Sequence, residues 1–270
     1  MAAGRALPAA SRRAQILNRI VRSGGVTIGE VARAHDVSPL TAHRDLEQLA
    51  REGLVERVHG GARALDQPRT RPMHSTAWDH RIAQAPERKA AVAQHASTLV
   101  PESATVFLDA SSTALAMAMA LAEAPPPELT VVTNSPMIAA GLFDDAIHVV
   151  VCPGELDHQM RAINGQWTVE FISQLRFDMA FVSGAGITLE AGLTTSRGPI
   201  SDALNAARAA SRSTVALVDA TKFGRASLVT IAPASDFELV ITDENLAHDV
   251  AEEYRAAGVR LVTVPSSPAT

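Results

Sequence analysis

Apolar and polar positions follow two different rhythms along this chain, and they change over near residue 66. Up to that point the apolar residues recur at helical spacing in short bursts. Ile16, Leu17, Ile20 and Val21 form one stripe, closed by Gly24-Gly25. Ile28, Val31 and Ala32 form a second, with Thr27 placed to cap it and Asp36 interrupting it. Ala42, Leu46 and Leu49 form a third at i, i+4 and i+7. Ser38 supplies an N-cap oxygen for that third helix. Pro39 takes the first helical position, where a missing N–H costs nothing, and Gly53 ends the helix. Leu54–Val58 then alternates as a strand does, and Gly60-Gly61 marks a tight reversal. Two helices, a turn, a third helix and a hairpin predict a winged helix-turn-helix over 11–65.

Beyond the changeover, short β-branched runs alternate with helical ones. The strands expected are Thr105–Asp109, Thr130–Thr133, His148–Val151, Met179–Ser183, Thr214–Asp219, Glu238–Thr242 and Arg260–Val264. They carry little charge, as strands buried on both faces must. Helices fit between most of them, at 87–100, 111–123, 136–142, 164–175, 200–211 and 246–257. This alternation predicts a mainly parallel sheet with right-handed crossovers over 87–270. Residues 66–86 hold Pro68, Pro72 and Pro86 among polar residues and are expected to be a linker. Residues 1–10 are expected to be a flexible basic arm.

Charge sharpens the division. Residues 1–71 carry twelve Arg against seven Asp or Glu, a net +5. The other 199 carry twelve basic residues against twenty-two acidic ones, a net −10, so the overall −5 hides a basic head on an acidic body. Only the head is then suited to a polyanion. No apolar run is long enough to span a bilayer, and no secretory h-region is seen. A single Cys152 suits a reducing cytosol. Nine His without metal-ligand spacing support no metal site, and no cofactor motif is present. A cytoplasmic protein with no membrane partner is expected.

The third helix has the dimensions to enter a major groove, with Leu40, His43 and Arg44 opposite its apolar stripe. Ser38, Leu40, Thr41, His43, Arg44, Arg57, His59 and Arg63 are the candidate contacts to double-stranded operator DNA, Arg57 and Arg63 reaching phosphates from the wing. In the body, ligands collect beyond the carboxyl ends of parallel strands. There stand Asp109, Ser111, Ser112 and Thr113 at a helix start, Asn134 and Ser135, Gly184 and Gly186, and Asp219 with Lys222. Hydroxyls, an amide, glycines and a lysine beside helix N-termini suit a phosphorylated sugar or polyol. No residue is assigned a catalytic role.

These motifs resemble those of the DeoR-type transcriptional regulators, over nearly the whole chain. The resemblance rests on Val37-Ser38, Thr41 and Arg44-Asp45-Leu46, on the wing Val58-His59-Gly60-Gly61-Ala62, and on Leu108-Asp109-Ala110-Ser111-Ser112-Thr113. It continues in Val132-Thr133-Asn134-Ser135, Gly184-Ala185-Gly186-Ile187 and Asp219-Ala220-Thr221-Lys222-Phe223-Gly224. It implies an N-terminal winged helix-turn-helix plus a larger Rossmann-like α/β effector domain resembling sugar-phosphate isomerases. It further implies a homo-oligomer, dimer or tetramer, that represses sugar or polyol catabolism genes until a phosphorylated effector binds. Three positions depart from the family pattern. His43 replaces the first arginine of an Arg-Arg pair, Ser111 replaces a glycine, and the helix with Asp202 and Arg208 lacks the usual lysine. A sugar-phosphate isomerase-like enzyme with an accessory DNA-binding head is the alternative. A constitutive DNA-binding protein whose body only oligomerises is a third reading.

Overall fold

The computed structural model describes residues 12–13, 15–17, 19–20, 25–51, 54–58, 60–64, 77–142 and 146–266. The chain divides into two compact units, Met1–His74 and Ser75–Thr270. The arm at 1–10, Gly53 and His59 lie outside the described residues.

In the head, the described residues between 12 and 20 are helical, and Ile16 and Ile20 are buried. Helix Ile28–His35 starts in a capping box. The Thr27 hydroxyl accepts Glu30 N–H at 3.2 Å, and the Glu30 carboxylate accepts Thr27 N–H at 2.7 Å. Asp36, in the left-handed region at φ 49°, ends that helix. Helix Pro39–Arg51 follows, its first turn capped by Ser38 Oγ, which accepts Thr41 N–H at 3.2 Å. Val31, Ala42, Leu46 and Leu49 meet Ile16 and Ile20 in one core, which Val55 and Ala62 of the wing close. The wing has a strand that the sequence pattern did not reveal. Strand β1 (Gly25–Thr27) pairs with β3 (Gly61–Ala64), which pairs with β2 (Val55–Val58). The tandem glycines serve two purposes. Gly60 turns the hairpin at φ 81°, and a Cβ on Gly61 would sit 2.1 Å from Val26 O of β1.

The body is a seven-stranded parallel sheet. Its strands are β4 (Thr105–Leu108), β5 (Leu129–Thr133), β6 (Ile147–Val151), β9 (Phe177–Val182), β12 (Ser211–Leu217), β14 (Leu239–Asp243) and β15 (Leu261–Val264). Their order is β15-β14-β12-β9-β4-β5-β6, so all seven expected strands pair in one sheet. Both faces are covered, as the charge-poor strands required. Val106 and Leu108 of β4 pack with Met117 and Leu121 of helix Ser112–Glu123. Phe107, between them in sequence, joins the opposite core with Phe177 at 5.6 Å between ring centroids.

Two features differ from expectation. Short antiparallel pieces decorate the carboxyl edge: a hairpin of β7 (Glu155–Asp157) and β8 (Ala162–Asn164), and a small sheet of β10 (Gly186–Thr188), β11 (Gly192–Thr195) and β13 (Val229–Ala232). At three or four residues each, they fall below what alternation can signal. The second correction concerns the stretch 66–86. It contains helix Ala77–Ala83, anchored by Trp78, which is 2% exposed and whose N–H donates to Gln159 O at 3.2 Å. One aromatic anchor in a proline-flanked polar run gives no periodicity to read.

Candidate functional site

The strand order reverses at β4, with β5 and β6 on one side and β9, β12, β14 and β15 on the other. Ligands in such sheets bind at this switch point, beyond the carboxyl ends of the strands. A cavity of about 170 Å³ lies there. Asp109 organises it. One carboxylate oxygen accepts Ser111 N–H at 3.0 Å, and the other accepts Ser183 N–H at 2.8 Å, tying the ends of β4 and β9 together. Burial raises the Asp109 pKa above the ordinary aspartate value, while those N–H groups hold it down.

Around Asp109, the helix Ser112–Glu123 begins with no acidic residue in its first turn. Ser111 caps it, Oγ accepting Ala114 N–H at 3.0 Å, and Ser111 and Ser112 line the cavity. Asn134 is 2% exposed. Its Nδ2 donates to Ile163 O at 3.0 Å, while its Oδ1 has no partner among the described residues. Gly184 lies where a Cβ would approach Leu193 Cδ1 to 2.6 Å and Thr194 O to 2.7 Å. The bare backbone there leaves Gly184 O to accept Lys222 Nζ at 2.6 Å. Burial lowers the Lys222 pKa, and Asp219 opposes that shift.

Six of the ten body candidates therefore share this wall: Asp109, Ser111, Ser112, Asn134, Gly184 and Lys222. Four do not line it. Thr113 is buried within its helix, and Ser135 caps helix Pro136–Gly141 by accepting Ile138 N–H at 3.2 Å. Gly186 packs against Arg225 O. Asp219 accepts Thr221 N–H at 3.1 Å and the Thr221 hydroxyl, and its Oδ2 has no hydrogen-bond partner among the described residues.

Other lining residues come from the elements that the sequence reading lacked. Arg81 reaches the cavity from helix Ala77–Ala83 and Met160 from the β7–β8 turn, while Thr195 ends β11 and Ser196 follows it. Arg81 stands 5.1 Å over the Trp78 ring and donates to Met160 O at 3.0 Å. Burial lowers its pKa, against the pull of Asp109 and Asp157. Two cations, a helix start and an orphan amide oxygen together can take an anion that also carries hydroxyls. Cys152 is buried, which pushes its thiol up to about 12 and fits an inert packing role.

On the head, Ser38, Leu40, His43 and Arg44 are exposed, and Leu40 is 61% exposed. Thr41 is half-buried and shares a 2.9 Å hydrogen bond between its hydroxyl and that of Ser38. Arg44 has no hydrogen-bond or ion-pair partner among the described residues. Glu47 sits among bases: Arg51 at 2.8 Å and His43 at 4.0 Å. Arg51 is the main cause of its lowered pKa, with His43 and Arg57 adding. In the wing, Arg57 is half-buried with Nη1 unpartnered, and Arg63 pairs with Glu56 at 2.8 Å.

Sequence reasoning missed the contact that seats this helix. Asp45, 4% exposed, takes Arg12 Nε at 2.6 Å, with Arg13 at 3.7 Å. A signal was available. Ala42, Asp45, Leu46 and Leu49 run i, i+3, i+4, i+7, so the acid falls on the core stripe and demands a buried cation.

A small winged reading head, followed in one chain by an α/β body with a polar cavity at its switch point, defines a transcription regulator with a sensor domain. The DeoR-like helix-turn-helix domain matches residues 12–68, and the DeoR C terminal sensor domain matches residues 84–244. The chain belongs to the DeoR family of transcriptional regulators. It is 32% identical over 249 residues to the HTH-type transcriptional regulator GolR of Listeria innocua, covering 92% of this chain and 96% of that one. The glycerol-3-phosphate regulon repressor of Escherichia coli is 31% identical over 237 residues, covering 84% and 88%. Ribose 5 phosphate isomerase A of Neisseria gonorrhoeae aligns over 50% of this chain and 52% of its own. Its identity is 18% and its TM-score 0.37, a likeness too slight to bear on function.

Proposed function

We propose that this protein is a repressor of sugar or polyol catabolism genes that binds duplex operator DNA through its head. A phosphorylated sugar or polyol in the body cavity releases it. The observation that carries the effector half is the convergence of Arg81, Lys222 and the Ser112 helix start on one cavity, which matches a phosphate dianion. Exposed Leu40, His43 and Arg44 on helix Pro39–Arg51, with Ser38 at its start, support a groove-facing surface; Thr41, Arg57 and Arg63 are further candidate contacts, and His59 remains a candidate from the sequence. One such head covers a half-site only, so the reading includes self-association and a repeated or palindromic operator.

The test is operator binding by wild type and Lys222→Met, followed by fluorescence anisotropy at fixed salt across phosphorylated sugars and polyols. Removing one charge-assisted hydrogen bond is worth about 1.5–3 kcal/mol. The effective ligand should therefore be needed at about ten- to a hundredfold higher concentration to release Lys222→Met. If one concentration frees both proteins, Lys222 has no part in release. If no phosphorylated ligand frees the wild type, the effector reading fails.

One observation favours an isomerase: burial shifts the pKa of both Asp109 and Lys222, as in catalytic pairs. Both groups are already engaged, by Ser111 and Ser183 N–H and by Gly184 O, so they organise the cavity in the preferred reading. Turnover of ribose 5-phosphate by the purified protein would reverse that preference.

A further inference from the structure

Helix Ala77–Ala83 is the first element of the body unit, which begins at Ser75. It is seven residues long, too short to be stable alone, so what holds it decides whether it is ordered. Its anchors are few. Trp78 is buried, its N–H reaches Gln159 O, and Arg81 Nη2 reaches Met160 O on the cavity wall. At its far end, Lys89 Nζ, on helix Pro86–Ser97, donates to Arg81 O and Gln84 O.

The guanidinium of Arg81 is short of partners. Of five N–H donors, the described hydrogen bonds use one, and its Nε is buried with none. The carboxylates near it are committed elsewhere: Asp109 to Ser111 and Ser183 N–H, and Asp157 to Arg197 at 3.0 Å. A half-buried cation whose neighbouring carboxylates are hydrogen-bonded elsewhere is a natural seat for an anion.

We infer that Arg81 takes the anionic group of the effector on its guanidinium, and that helix Ala77–Ala83 is thereby ordered when the cavity is filled. The inference rests on the reading of the cavity as an effector site. It adds a specific ligand contact, and it names the element through which occupancy reaches the chain leading to the head. The ligand class it requires is a phosphorylated polyol or sugar, whose hydroxyls the unpaired Asn134 Oδ1 can accept while Arg81 and Lys222 hold the dianion.

The experiment uses the full chain as wild type, Arg81→Gln and Arg81→Lys. The probes are phosphorylated polyols and sugars of three to six carbons, with inorganic phosphate for comparison. Affinity is read by calorimetry and helix order by hydrogen exchange at amides 77–84, with Trp78 emission checking that each variant keeps the native fold. At least one phosphorylated probe should bind wild type and slow exchange at 77–84. Arg81→Gln should bind that probe at least tenfold more weakly and show no added protection at saturation. Arg81→Lys, which keeps the charge but not the planar fork, should fall between. Binding to Arg81→Gln within twofold of wild type overturns the assignment of Arg81. Wild-type binding with no change at 77–84 overturns the coupling. A wild type that binds none of the phosphorylated probes removes the effector reading itself, and the inference with it.

Discussion

Lys89 offers a quantitative check on how the cavity is supported. It is 4% exposed, donates to the carbonyls of Arg81 and Gln84, and lies within the fields of Asp219, Lys222 and Arg81. Burial brings its pKa down from 10.5 to about 8, with Asp219 opposing and the neighbouring cations assisting. A depressed lysine pKa means that the unfolded chain holds the proton at pH values where the folded chain has released it. Stability contributed by this group therefore rises with pH between about 8 and 10.5. At 1.36 kcal/mol per pKa unit, the gain between pH 8 and pH 10 is about 2 kcal/mol. Cys152 and Tyr254, both pushed up to about 12 by burial, pull the other way as pH rises. They cancel when wild type is compared with Lys89→Met. Urea unfolding followed by tryptophan emission suits the purpose, because both tryptophans, Trp78 and Trp167, belong to the body unit. The stability of wild type relative to Lys89→Met should climb by about 2 kcal/mol from pH 8 to pH 10. Parallel curves across that range would refute a charged, desolvated Lys89.

Two further predictions concern the head. Asp45→Ala removes the buried carboxylate that holds Arg12 at 2.6 Å and should destabilise the head by about 3–5 kcal/mol, read as earlier proteolysis in the 12–64 region; unchanged protection would show that the pair does not seat the helix. Arg44→Ala, at an exposed and unpartnered cation, should cost about 1–3 kcal/mol of operator affinity at fixed salt and relax base preference; unaltered affinity would place the groove contact elsewhere.

The large elements were legible because long-range burial left a local trace. Seven strands with apolar residues at consecutive positions had to be covered on both faces, and Val106, Phe107 and Leu108 confirm this by dividing between two cores. The caps at Thr27 and Ser38 were readable for a similar reason, since each hydroxyl satisfies an N–H three residues on. The part of the cavity built by strand ends was readable by the rule that they gather ligands. The rest was not, because Arg81, Met160 and Thr195 arrive from elements shorter than eight residues. Their order comes from tertiary anchors such as Trp78 rather than from periodicity. Arg12 illustrates the same limit at residue level: its partner Asp45 is thirty-three positions away, and only the core stripe hinted at the need for one.

The two cations of the cavity differ in how they are held, and that difference bears on the proposed switch. Lys222 is tied to Gly184 O, two residues beyond the end of β9. Arg81 is carried by the seven-residue helix Ala77–Ala83. An effector weakens operator binding only to the extent that it prefers the free conformation over the bound one. A ligand held equally by both cations in both conformations would change nothing, however tightly it bound. On the proposed reading, Lys222 and the Ser112 helix start, both next to the strand ends, supply affinity common to both states. Arg81 is placed to provide the difference. One charge-assisted contact made in a single state is worth about 1.5–3 kcal/mol, which falls within the 1–3 kcal/mol typical of allosteric coupling. On the proposed reading, a single arginine on a short helix supplies a coupling of the usual size.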